Sequence, residues 1–299
     1  MVSVPEGLRI DLHTHSSRSD GTSPPAELVA QAAAAGLDVV ALTDHDTADG
    51  WAEAAEAARA YDITLVPGME ISCRHEGRGV HLLAYLADPT HPPLAAELAA
   101  ILEGRTGLMP RIVERLRDVG IDITEADVHA VSGDAAASGR PHVADALIRA
   151  GAVRDRDEAF ARFLGPSGPA YVRRHATPLV EMIGLVRAAG GVPVIAHPWG
   201  RSSAPVLQPD DLAALAGAGL VGVEVDHQEH APADRARLRG IARDLDLVVT
   251  GSSDHHGTGK VGHDLACNTT DPEELERLLA LAADARRAAG RDAPEPLGL

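Results

Sequence analysis

In the stretch DLHTHSSRSDG, residues 11–21, two histidines stand one residue apart, His13 and His15, and Asp20 follows. Side chains alternate faces along a strand, so both imidazoles project to one side. Neutral imidazoles held side by side make a metal clamp. Taken alone, the pair is equally compatible with one satisfied core histidine and one exposed one. The rest of the chain repeats the residue types in the same kind of place. LDVVALTDHD sets Asp44, His45 and Asp46 directly after an apolar run, and ITLVPGMEIS sets Glu70 just after the next. GVHLLAYL begins a run with His81, GVPVIAHP ends one with His197, and DLVVTGSSDHHG ends one with Asp254, His255 and His256. Barrel enzymes build their active sites at strand ends. A metal site is the expectation.

Weaker signals carry competing readings. Arg140 and His142, in SGRPHVA, precede a helical stretch; an arginine fork and a helix N-terminus would grip a phosphate, although a surface arginine and a capping histidine fit as well. YVRRHATP adds Arg173, Arg174 and His175, of which at least one is expected to face solvent. HGTGK is no phosphate-binding P-loop, because Asp254 and Val261 stand where that motif needs a glycine and a Ser or Thr. Lys260 is expected at the surface. Asp44 or Asp46 could orient His45 or handle a proton, against plain turn chemistry. Glu224 and Asp226 share a strand face, as cavity lining or as a structural ion pair. His75, His91, His129, His230 and His263 are expected to have no catalytic role, and His227 is undecided. Cys73 has strand parity opposite to Glu70.

The elements that must position these residues alternate. Strands are expected at Leu8–His15, Asp38–Thr43, Thr64–Pro67, Gly79–Tyr85, Val192–Ala196, Gly222–Val225 and Leu247–Thr250. Helices are expected at Pro25–Ala35, Trp51–Ala60, Leu179–Ala189 and Asp234–Asp244. This alternation predicts a parallel α/β barrel. Residues 105–178 break the rhythm: they read as mainly helical, with glycines placed as C-caps, and carry eleven arginines against ten acids. We read them as an inserted subdomain within a barrel formed by residues 1–104 and 179–299. The stretch beyond about Ala288 reads as loose.

Composition narrows the partners. The chain has 299 residues, 45% of them apolar, ample for a sizeable core. Net charge is −17, with 26 arginines and one lysine, which disfavours a long nucleic-acid duplex. Aromatics at 2% leave little for base stacking. No apolar run is long enough to span a bilayer, and residues 1–10 lack the pattern of a signal peptide. Two cysteines without metal-type spacing suggest a reduced, cytoplasmic setting.

In their order, HTH, TDHD, GMEIS, the His81 strand, AHP and SDHH resemble the motifs of the PHP (polymerase and histidinol phosphatase) phosphoesterases, and the likeness runs through the whole chain. GRPHVADALI resembles the branch acting on nucleoside 3′,5′-bisphosphates and short 5′-phosphorylated RNA. The resemblance implies a distorted (β/α)7 barrel with a helical insertion and two or three divalent metal ions. It implies one ion on His13, His15, Glu70 and Asp254, a second on Glu70, His81 and His197, and a third on Asp20, His45 and His256. His255 stands where this branch more often has an aromatic residue, which makes it a competing ligand. Six imidazoles and three carboxylates without a thiolate suit Mn²⁺ foremost, then Zn²⁺ or Fe²⁺. Clustered divalent ions suit phosphate ester hydrolysis. The expected activity is release of the 3′-phosphate from a nucleoside 3′,5′-bisphosphate, with 5′-to-3′ trimming of short RNA. Arg140, His142 and Asp44 are expected to assist catalysis, and Arg140, His142 and Arg173 to bind substrate. The alternatives are an AMP or histidinol-phosphate phosphatase of the same family, a non-catalytic binding module, and a polymerase-associated proofreading exonuclease, which no polymerase-length extension supports.

Overall fold

The computed structural model describes residues 7–133, 135–136, 138–172, 175–200, 207–291 and 293–298. The first half of the barrel is β1 (Ile10–Thr14), α1 (Pro25–Ala34), β2 (Val39–Leu42), α2 (Trp51–Tyr61), β3 (Thr64–His75) and β4 (Arg78–Tyr85). Then come α3 (Pro92–Thr106), α4 (Met109–Asp118), α5 (Glu125–Ser132), α6 (Arg140–Arg149) and α7 (Arg156–Ala159). The barrel resumes with β5 (Thr177–Pro178), α8 (Leu179–Ala188), β6 (Val192–Ile195), α9 (Pro209–Gly217), β7 (Gly222–Asp226), α10 (Pro232–Asp244), β8 (Val248–Gly251) and α11 (Pro272–Ala289).

Seven strands follow one another in the order β1-β2-β3-β4-β6-β7-β8, and the short β5 pairs with β3 off this path. A bridge from Thr14 to His255 ties the β1 edge to the chain leaving β8, so the sheet is nearly closed. This is the expected distorted seven-stranded barrel.

The distortion has a local cause. The run at 79–85 is not a further parallel unit, as simple alternation implied; β4 runs antiparallel to both β3 and β6. A two-residue turn joins β3 to β4, with Glu76 at φ 47° and Gly77 at φ 78° between the paired His75 and Arg78. Positive φ at both central residues is what primed hairpin turns require.

Apolar burial comes in separate pieces. Met69, Ile71 and Leu82 pack with Leu94, Leu98 and Ile101 of α3 and with α8. Ile10, Leu12, Val39 and Val66 pack with Leu275 and Leu278 of α11. Between β4 and β5 the regular elements among the described residues are all helical, and Ile112, Leu116, Val143, Leu147, Phe163 and Leu164 form a cluster of their own. No described helix is long and apolar enough to cross a membrane.

Candidate metal centre

Strand ends deliver the polar residues to one place. His13 lies in β1 and His15 just beyond it, where His15 N–H donates to the His255 carbonyl at 2.8 Å. The chain then turns tightly to bring Asp20 back; a Cβ on Gly21 would sit 2.3 Å from the His15 carbonyl oxygen, so only glycine closes this loop. Asp44 holds the same loop, its carboxylate accepting from Ser16 N at 2.8 Å and from the hydroxyls of Ser16 and Ser19 at 2.6 Å each. His45 leaves β2 and bridges to Glu70 on β3. His81 on β4 stands opposite Ser72. His197 and Asp254 follow β6 and β8 with φ of 26° and 52°, backbone conformations that cost free energy and cluster at functional sites.

These side chains converge. His15, Asp20, His45 and His256 form one group whose ligand-type atoms lie within 4.8 Å of one another; His13, His15, Glu70 and Asp254 form a second, and His45, Glu70 and His81 a third. Glu70 joins the groups: its Oε2 lies 3.3, 3.2 and 3.2 Å from nitrogens of His13, His15 and His45, and its Oε1 lies 2.7 Å from His81 Nδ1 and 3.0 Å from His197 Nε2. All nine expected ligands therefore meet, and all but the part-exposed His81 are buried. His255 does not join them; its Nδ1 donates to the His263 carbonyl at 2.7 Å.

The hydrogen bonding fits a cation. Glu224 Oε1 lies 3.0 Å from His13 Nδ1; a carboxylate only accepts, so Nδ1 carries a proton, and in the neutral ring a metal needs, the Nε2 lone pair turns to the cluster. There Nε2 faces the Nε2 of His15 at 3.0 Å and Glu70 Oε2 at 3.3 Å. His256 repeats the pattern. Its Nδ1 donates to the Asp254 carbonyl at 2.9 Å, which leaves the Nε2 lone pair facing Asp20 Oδ1 at 3.3 Å. The buried Glu70 Oε2 accepts no hydrogen bond. Lone pairs set against lone pairs in a buried cluster call for positive charge.

The titration of the groups says the same. Burial opposes ionisation of Glu70, yet His81, His45 and His13 hold its carboxyl well below the usual range. Burial opposes it at Asp20 also, and His45 and His256 outweigh it. At His15 burial disfavours charge, but the neighbouring carboxylates of Asp254 and Glu70 carry the pKa up to about 9. Burial and the neighbouring His15 push His256 down to about 4.

Other expected site residues are less central. Arg140 opens α6 half-buried, its guanidinium 5.1 Å from the centre of the Tyr171 ring. His142 is buried; its Nδ1 accepts the Gly139 N–H at 2.9 Å, and burial lowers its pKa. Arg173 and Arg174 lie outside the described residues. His175 pairs with Glu97 at 2.8 Å on a half-exposed edge. Lys260 corrects the surface expectation: its side chain is largely buried and ion-paired with Asp254, because the turn after His256 folds back over the site.

Residues that sequence reasoning passed over complete the surroundings. Arg105, on α3, is buried and pairs with Asp46 Oδ2 at 2.6 Å and Ser72 Oγ at 3.0 Å, bracing the strand that carries Glu70. Arg156, on α7, pairs with Asp145 at 2.6 Å and donates to the Asp20 carbonyl at 3.2 Å, tying the helical segment to the Asp20 loop. Nothing in the spacing of either arginine pointed to the barrel. Glu224, left open between two roles, is a cavity carboxylate, while Asp226 pairs with Arg239.

The chain is similar to known proteins over nearly its whole length. The PHP domain signature matches residues 11–109. A 3′,5′-nucleoside bisphosphate phosphatase of Chromobacterium violaceum is 34% identical over 284 residues, 93% of this chain and 97% of that protein. A 5′-3′ exoribonuclease of Haemophilus influenzae is 34% identical over 83% of this chain and 90% of that protein. A solved structure from Bifidobacterium adolescentis, described as a candidate metal-dependent phosphoesterase, superposes with a TM-score of 0.87 at 38% identity, covering 93% of this chain and 97% of that one. With clusters of imidazole and carboxylate able to bind metals at the strand ends, the chain belongs to the PHP domain family and is a metal-dependent phosphoesterase.

Proposed function

We propose that this enzyme hydrolyses phosphate monoesters of small nucleotides, releasing the 3′-phosphate of nucleoside 3′,5′-bisphosphates, with 5′-to-3′ trimming of short RNA as a related activity. The observation that carries the reading is the convergence of ring nitrogens of His13, His15 and His256 on the carboxylates of Glu70 and Asp20. His13, His15, Asp20, His45, Glu70, His81, His197, Asp254 and His256 are the ligands of two or three divalent ions, with Mn²⁺ the first choice for this donor set. Bound there, such ions acidify a water, hold phosphoryl oxygens and offset charge on the leaving oxygen.

The chain's own residues supply the rest. Glu224 sets the His13 tautomer. Asp44 acts by holding the Asp20 loop, since its oxygens are occupied by Ser16 and Ser19. Arg140, at the start of α6, receives the second phosphate, as a guanidinium fork suits an anion. His142 and Arg173 are the further substrate residues. The helical subdomain at 105–178 carries this specificity, although Arg105 itself turns back to the barrel. The choice of bisphosphate draws on the likeness to the C. violaceum phosphatase and the trimming of RNA on the likeness to the H. influenzae exoribonuclease, and two free cysteines suit a cytoplasmic setting.

The test is phosphate release from adenosine 3′,5′-bisphosphate, AMP, histidinol phosphate and a 5′-phosphorylated trinucleotide after reconstitution with Mn²⁺. The bisphosphate is expected to be turned over fastest, and His13→Ala to lose more than about 100-fold, beyond what outer-shell changes cost. Faster turnover of AMP or histidinol phosphate would overturn the substrate. No release from any of the four by metal-loaded protein would overturn the activity.

A further inference from the structure

The chain has 26 arginines and a single lysine, and that lysine is at the metal centre. Lys260 is ion-paired with Asp254 Oδ2, and its ammonium lies 3.4 Å from Glu229 Oε1. A second donor reaches the same Asp254 oxygen: the fully buried His227, with Nε2 at 3.2 Å. The tautomer of His227 is fixed, because its Nδ1 accepts the Glu229 N–H at 3.1 Å, so the ring hydrogen is on Nε2 and is donated to Asp254. The other oxygen, Oδ1, lies 3.5 Å from ring nitrogens of His13, His15 and His256 alike. Two donors meet Oδ2, and Oδ1 is the oxygen turned to the three imidazoles.

We propose that Lys260 and His227 are a positioning pair that holds Asp254 by Oδ2 and so turns Oδ1 to the metal-binding side, and that this place requires lysine. The inference rests on reading Asp254 as a ligand. A guanidinium meets a carboxylate as a fork, with two parallel N–H donors on two oxygens. On Asp254 such a fork would cover Oδ1 together with Oδ2. An ammonium is a compact point donor. It shares Oδ2 with His227 and reaches Glu229 without spanning to Oδ1. Asp254 also sits at φ 52°, a conformation that persists only where the surroundings over-determine it, and two donors on one oxygen help to do so.

Equilibrium metal binding separates this from a charge effect. Full-length wild type, Lys260→Arg, Lys260→Met and His227→Ala are stripped with chelator, melted without metal to compare their folds, and titrated with Mn²⁺, following the free ion by electron paramagnetic resonance. The arginine variant keeps the charge yet is expected to bind at least about tenfold more weakly, within the range of outer-shell effects on metal affinity. The methionine variant is expected to lose less than the arginine variant, and His227→Ala to lose about tenfold. An arginine variant that binds as wild type does, or more tightly than the methionine variant, overturns the inference. If the arginine variant fails to fold, His227→Ala decides, and affinity within about twofold of wild type overturns it. Wild type that takes up no Mn²⁺ sinks the ligand reading itself, a result distinct from either.

Discussion

Glu224 decides which nitrogen of His13 faces the cluster. Its two oxygens are both used, Oε1 on His13 Nδ1 at 3.0 Å and Oε2 on the His197 N–H at 2.8 Å, so one carboxylate sets two of the proposed ligands. Glutamine at this place can accept from one of them only and turns an NH₂ against the other. Glu224→Gln is therefore expected to weaken metal affinity or turnover by about 10–100-fold, read from a Mn²⁺ titration and from kcat. Arg140 makes the opposite kind of prediction. Its proposed role is substrate binding, so Arg140→Ala should raise KM for the bisphosphate about tenfold or more, as loss of a charge-assisted pair worth 1.5–3 kcal/mol implies, and leave metal affinity unchanged. An unaltered KM would remove Arg140 from the site. Most of the proposed ligands were legible in the sequence because they sit beside an apolar run, and a strand end is a place that pattern reveals; Asp20, within a polar loop, was legible only through the family resemblance. The roles of Glu224 and His227 stayed open in the sequence, since the contacts that decide them span 211 and 27 residues and leave no trace in local spacing.

At the scale of elements, the hairpin between β3 and β4 turns a regular parallel barrel into this one. It places His81 across from the Glu70 strand, where a βα crossover would have sent the next strand parallel. The turn is open around Gly77, where a Cβ would meet nothing within 4 Å, so only the backbone conformation is at stake. Gly77→Ala should cost about 1–2 kcal/mol in urea unfolding with kcat unchanged. A stable Ala variant would mean that the turn is not held at positive φ in solution. Periodicity found this strand but not its direction, because both directions bury the same alternating face. Arg105 was passed over for a related reason. It follows an apolar helical stretch that packs on the barrel, yet its charge resembles the arginine-rich segment after it. Only the buried pair with Asp46 shows which neighbour it serves.

For the whole molecule, charge and metal are coupled. A chain of net charge −17 that gathers Asp20, Glu70, Glu224 and Asp254 in one buried region carries strong internal repulsion. Divalent ions relieve it, and an ion that binds only the folded state adds about 2.7 kcal/mol at a concentration of 100 Kd. Mn²⁺ should therefore raise the melting temperature of wild type by several degrees and that of His13→Ala by less. The same acidic surface disfavours extended polyanions, which accords with the small substrate proposed here. The most direct measurement of the central claim is the initial rate of phosphate release from adenosine 3′,5′-bisphosphate by chelator-stripped protein as Mn²⁺ is restored. The account predicts no release from the stripped protein and a rate that rises and saturates with added ion. Full turnover by protein verified to be metal-free would contradict it.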